Sequence, residues 1–314
     1  MTKRILSCVF ILSSWFGSIA GPNDSLNSNE LSEDLYDTDL LPPSFHEGRR
    51  KALRSLLSEN SVAIFFANSI KNRSNDVDFE FHQEPNFYYL TGYNEPHGIL
   101  FIFKNNQYLG NDHYNELVFV QPRDSSNELW KGKRLGVEGV KAKLEFKNAY
   151  TNDQFADYKL DLSKLHKVFI IPDDQEMEDN SRDRGDRYSL KKHLNAKMDS
   201  TGLNINTILL KEMMSGLREV KEKEEIVLLR KAIDITCAAQ QQLMKEVKVG
   251  QTEYHAEAIV EYVFKSGGAE YPGFPSIIGA GENSCILHYT ANRKKLLTND
   301  LVVVDIGAEY HGYS

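Results

Sequence analysis

Cysteine is scarce in this chain. Three occur in 314 residues, and one of them, Cys8, lies in the apolar N-terminal run. The other two, Cys237 and Cys285, cannot build a disulfide framework, so the fold has to rest on a hydrophobic core. Clusters of Lys and Arg are missing as well. The net charge is −8 and the basic residues are scattered, which excludes nucleic acid as an expected partner, because tracking a phosphate backbone needs a basic stripe. Long apolar runs are also lacking. A membrane-spanning helix needs about 20 apolar residues, whereas the run over 5–16 is short and interrupted by Ser, so no stable membrane span is expected once it is removed. With 41% hydrophobic and 26% charged residues, the composition is that of a folded globular protein.

The N-terminus has a pattern of its own. Lys3 and Arg4 precede the apolar run, and Ser18-Ile19-Ala20 puts small residues at the positions a signal peptidase reads. This is the layout of a secretory signal cleaved after Ala20, with an uncleaved N-terminal anchor as the alternative. Export, to a periplasm or out of the cell, is the expectation.

The length favours two domains. Residues 21–40 are rich in Ser, Asn, Asp and Glu and read as a flexible leader. Residues 41–204 carry short apolar runs at 62–66, 99–103, 117–121 and 168–171, rich in Val, Ile and Phe, with helical stretches between some of them. That pattern predicts an α/β domain with a mixed sheet. A helix over 44–58 places basic residues on one face and Leu53, Leu56 and Leu57 on the other. The charged segment 173–186 reads as a surface loop, and residues 205–220 as a linker. The second domain, from 221 onward, opens with a long amphipathic helix whose apolar stripe is Ile226, Leu229, Ile233, Cys237, Met244 and Val247. Cys237 is thereby expected to be buried. Thr252 caps a second helix burying Ala256, Ile259, Val260 and Val263, with His255 as a surface or capping residue.

Beyond Gly268 the segment 277–281 reads as an apolar strand ending in glycines, 283–289 brings His288 to the end of an apolar run, and 301–307 is a second apolar strand interrupted by Asp305. A carboxylate inside a buried strand costs several kcal/mol unless compensated. A metal ion, a cationic partner, or exposure at the strand end with backbone donors would each serve. His288 taken alone reads as structural.

The stretch 274–289, PSIIGAGENSCILHY after Phe274, followed by 301–314, resembles the start of the catalytic domain of aminopeptidase P. This is the Xaa-Pro aminopeptidase group of the creatinase/methionine-aminopeptidase "pita-bread" metallopeptidases. In the first domain, residues 85–96 (PNFYYLTGYNEP) and 128–132 (ELWKG) are similar to the signatures of that family's N-terminal domain. The resemblance implies a creatinase-type α/β N-terminal domain with a mixed sheet, followed by a truncated α+β pita-bread domain. It also implies removal of an N-terminal residue that precedes proline, so peptides with proline in second position are the implied substrates, and it implies homo-oligomers. Two divalent ions, usually Mn²⁺, are held in the family by two Asp, one His and two Glu. Carboxylate oxygens suit Mn²⁺, and a two-metal site activates a bridging water at neutral pH.

Carried over by position, Asp305 matches the first metal-ligand Asp. His288 matches the His of the family's Leu-His-Tyr motif, which hydrogen-bonds the substrate and developing oxyanion rather than the metal. The second ligand Asp would fall two residues past Ser314, and the ligand His and both Glu further on. One carboxylate does not hold a dinuclear centre, so these residues alone are expected to bind metal weakly and hydrolyse nothing. A non-catalytic relative acting through its N-terminal domain, and a prolidase-like dipeptidase, stay open as alternatives.

Overall fold

The computed structural model describes residues 37–109, 112–172, 183–199 and 201–314. The expected signal segment, most of the leader and most of the 173–186 loop lie outside the described residues. In chain order the first part comprises α1 (Pro43–Leu56), β1 (Ser61–Phe66), β2 (Asn72–Ser74), β3 (Val77–Asp78), α2 (Pro85–Thr91), β4 (Ile99–Leu109), β5 (Asp112–Val120), α3 (Ser125–Lys131), α4 (Gly136–Lys143), β6 (Ala149–Thr151), β7 (Lys167–Ile170), α5 (Arg187–Asp199), β8 (Asn204–Asn206) and α6 (Leu209–Glu219). The second part holds α7 (Lys223–Glu246), α8 (Glu253–Ser266), β9 (Tyr271–Pro272), β10 (Ile277–Ala280), β11 (Val302–Asp305) and β12 (Ala308–Glu309).

All four apolar runs of the first domain become strands of one six-stranded sheet, ordered β6-β5-β4-β1-β7-β8. It is mixed: β1 pairs antiparallel with β4 and parallel with β7. The runs are continuous rather than alternating because both faces are covered. Successive side chains point to opposite faces, so Ala63, Phe65, Leu100 and Ile102 join one core with Leu53, Phe87, Leu210 and Met214. Their neighbours Val62, Ile64, Phe101 and Phe103 join a second core with Leu190 and Leu194. The segment expected as a linker supplies secondary structure here. Asn204–Asn206 is the edge strand beside β7, and α6 buries Leu210 and Met214 in the first core.

Leu53 in α1 and Leu57 just after its end are buried as expected, but Leu56 is half exposed. Arg50, expected on a solvent face, is buried. It donates to both Glu116 oxygens and to Leu90 O, with its guanidinium 4.1 Å from the centre of the Phe146 ring.

The helix α7 corrects the expected stripe. Its buried side is Glu225, Leu228, Ala232, Ile235, Ala239 and Leu243, and Ile226, Ile233, Cys237 and Met244 face solvent. The chain offers two apolar stripes, and the one carrying alanines wins. Small side chains let the backbone of one helix approach another, and α8 meets α7 through Ala256, Ile259, Val260 and Phe264 in a shared core. Thr252 caps α8 by accepting from the His255 amide, and the His255 side chain is exposed. Among the described residues no helix is long and apolar enough to cross a membrane.

Candidate functional site

The two positions singled out in the sequence lie on one antiparallel hairpin-like unit. β10 and β11 pair in the register Ile277↔Asp305 through Ala280↔Val302. Between them the chain makes a 3₁₀ turn at Gly281–Cys285, a further turn carrying His288, and a short return along α8. The first turn depends on glycine. A Cβ on Gly279 would stand 2.8 Å from Asn283 O, and Gly281 has φ +56° beside Asp300.

Asp305 ends β11, and its side chain is exposed, as are Val302 and Val303. Of the three ways left open for this carboxylate, the structure shows exposure at the strand end. Among the described residues β11 has one ladder partner, β10, and so its side chains reach solvent. An exposed carboxylate is hydrated and needs no compensating ion. Asp305 carries no buried charge that calls for a metal, and the family resemblance alone supports it as a ligand. His288 is likewise exposed, on a turn rather than at a strand end, and its side chain makes no hydrogen bond to the described residues.

Among the described residues, Asp305 belongs to no group of three or more His, Cys, Asp or Glu whose ligand atoms lie close together. A hard divalent ion takes several oxygen or nitrogen ligands. One solvated carboxylate does not fit a two-ion centre.

Polar residues that the sequence did not single out hold this unit in place. Asn292 is fully buried with φ +49°. Its Oδ1 accepts from Ile278 N at 3.0 Å, and its amide donates to Ser276 O at 2.8 Å and to Glu257 at 2.9 Å. Ser276 in turn donates to Glu261 at 2.9 Å. Glu253 accepts from Ala280, Asn283, Tyr289 and Lys294. The sequence signal for Glu253 was limited to an acid in the first turn of a helix, a common complement to the helix dipole. Nothing local reveals its burial.

A separate cavity of about 450 Å³ opens between the two parts of the chain, lined among others by His82, Tyr88, Glu270, Tyr271, Glu309 and His311. Neither His288 nor Asp305 lines it. At its wall His311 is buried, with Nε2 3.1 Å from Asp39 and Nδ1 against Glu270. Burial lowers the imidazole's proton affinity, but the two carboxylates outweigh this and hold its pKa above the ordinary value. Burial likewise pushes the Asp39 and Glu270 carboxyls up, and hydrogen bonds from Tyr310 and His311 bring them below their ordinary values.

Comparison with known proteins gives this geometry a family. The pattern described as "Aminopeptidase P, N-terminal domain" matches residues 46–170, and that of "Metallopeptidase family M24" matches residues 227–314. The chain is 32% identical over 266 residues to the Xaa-Pro aminopeptidase of Escherichia coli K12, covering 85% of this chain and 59% of that protein. It is 31% identical to the Xaa-Pro aminopeptidase of Haemophilus influenzae, covering 87% and 59%. Aminopeptidase P from E. coli, solved with the inhibitor Pro-Leu, superposes with a TM-score of 0.74 at 29% identity, over 87% of this chain and 60% of that one. The chain thus spans about three fifths of the length of these relatives. With an aminopeptidase P-type domain on a mixed sheet followed by the first part of an M24 domain, it belongs to the aminopeptidase P family.

Proposed function

We propose that this chain serves an exported, metal-dependent Xaa-Pro aminopeptidase, acting on peptides with proline in second position. The observation that carries the reading is the pairing of the M24 match over 227–314 with relatives named Xaa-Pro aminopeptidase over 85% of this chain. Asp305 supplies one carboxylate ligand to an ion, with Mn²⁺ as the proposed metal. When bound, such a centre would supply an activated water. His288, exposed on its turn, offers an imidazole that can donate to a substrate carbonyl as charge develops on its oxygen. Since one carboxylate does not hold the ions, these 314 residues turn over nothing without further metal ligands.

An assay of Xaa-Pro peptides with added Mn²⁺ tests both halves. The 314-residue chain is expected to show no turnover. A longer chain of the relatives' length is expected to release the residue before proline, and to lose that activity on Asp305→Ala. Robust turnover by the 314-residue chain, abolished by Asp305→Ala, overturns the need for further ligands. A longer chain that cleaves no Xaa-Pro peptide overturns the substrate reading. Export is checked separately, by whether the purified native protein begins after Ala20.

A further inference from the structure

Glu253 is the first residue of α8 and has no exposed surface. A buried carboxylate is costly unless it is fully hydrogen-bonded, and here it has four donors. Oε1 accepts from Ala280 N at 2.7 Å and Asn283 Nδ2 at 3.0 Å. Oε2 accepts from the Tyr289 hydroxyl at 2.8 Å and Lys294 N at 2.8 Å. Its own amide donates to Lys294 O at 2.9 Å. These groups lie on both sides of His288 in the chain, and one belongs to the next residue. Burial pushes the carboxyl's pKa up, but the donors outweigh it and hold the group below its ordinary value. The positive end of the α8 dipole acts in the same direction.

His288 has no side-chain hydrogen bond of its own to the described residues. Its position is therefore set by the backbone of its turn, and that segment is tied to a single carboxylate by the backbone N–H groups of 280 and 294 and by the side chains of Asn283 and Tyr289. A glutamine would not replace it. The amide has one acceptor oxygen, and its NH₂ would face N–H and O–H donors.

We propose that Glu253 is a positioning residue that fixes the His288 imidazole, acting through Tyr289 and the backbone of the 280–294 segment without touching substrate. This deepens the functional reading above, and rests on His288 being the group that meets the peptide.

The test uses the 314-residue chain with ¹³Cε1-labelled histidine. Its nine histidines give separate signals, and His288 is assigned by the one lost in His288→Gln. The wild type is expected to show one sharp His288 signal. Glu253→Gln is expected to split or broaden it, and Glu253→Asp, which keeps the charge, to restore a single signal in part. The signals of His46 and His311 stay in place as a check on the fold. Amide exchange across 280–296 is expected to rise on the order of tenfold in Glu253→Gln. An unchanged His288 signal despite faster loop exchange overturns the proposal, since Glu253 would then be structural only. If Glu253→Gln shifts all nine signals, Tyr289→Phe decides, because it removes one donor and leaves three. A perturbed His288 signal there supports the proposal and an unchanged one overturns it. The spectra need no turnover. Failure of a longer chain to cleave Xaa-Pro peptides would therefore remove the functional reading and leave this result standing, and the reverse also holds.

Discussion

The guanidinium of Arg50 grips the Glu116 carboxylate with two hydrogen bonds, of 3.1 and 3.2 Å, from residues 66 positions apart in the chain. The pair joins α1 to β5 beneath the Phe146 ring, and Arg54 adds a third bond to the same carboxylate at 2.8 Å. Without Arg50 the Glu116 carboxylate keeps Arg54, but the buried Leu90 carbonyl loses its side-chain donor, and a lost buried partner of this kind costs about 1–3 kcal/mol. Arg50→Ala is therefore expected to destabilise the protein by that order in urea unfolding. A loss under 1 kcal/mol would mean that water or Arg54 takes over the contact.

The two stripes of α7 predict opposite outcomes. Leu228→Ala removes a buried side chain from the core shared with α8 and should cost about 2–5 kcal/mol. Ile233→Ser acts on a side chain that is 54% exposed, where changes stay within about 0.5 kcal/mol. Equal losses at the two positions in chemical denaturation would contradict the observed helix rotation.

Stability should depend on pH through His311. Its pKa is raised in the folded state, so its contribution is fully present below the ordinary value of 6.5 and is lost as pH rises through the folded value. Asp39 and Glu270 are held below their ordinary values. Their contribution is present above those values and fades as pH falls through the folded ones. The thermal midpoint of the wild type should accordingly be greatest in weakly acidic solution. His311→Gln should flatten the alkaline side of that curve, as read by calorimetry from pH 4 to 9.

Metal affinity gives a further check. Titration of the 314-residue chain with Mn²⁺ is expected to show no tight site that depends on Asp305, because Asp305 is a single hydrated ligand. Asp305→Asn should leave thermal stability unchanged, since the side chain is exposed and crosses no buried contact. A stoichiometric, tight site lost in that variant would show that the described residues hold an ion after all.

The strands of the first domain were legible because each apolar run is buried on both faces, so residues 62–66 and 99–103 carried their own signal. The side of α7 was not. Ile226, Ile233 and Met244 outweigh Ala232 and Ala239 in any hydrophobic sum, yet the alanines mark where α8 comes close. Burial of Arg50 and Glu253 escaped for a related reason, since each depends on partners far along the chain. For Asp305 the sequence left exposure at the strand end open beside a metal ion and a cationic partner, and the structure shows the side chain exposed. An apolar strand reads as buried, but coverage comes from neighbouring elements rather than from the strand. The identity of His288 and Asp305 as candidates came from long motifs, whereas the scaffold that holds their turn came from geometry alone.

The same β11 has a practical consequence for handling the protein. Val302 and Val303, with Leu301 just before them, are exposed on a strand with a free edge among the described residues. Unsatisfied N–H and C=O groups beside apolar side chains recruit other chains. A solution of these 314 residues should be colloidally unstable, with scattering that grows as concentration is raised and shrinks when Val303 is replaced by Lys.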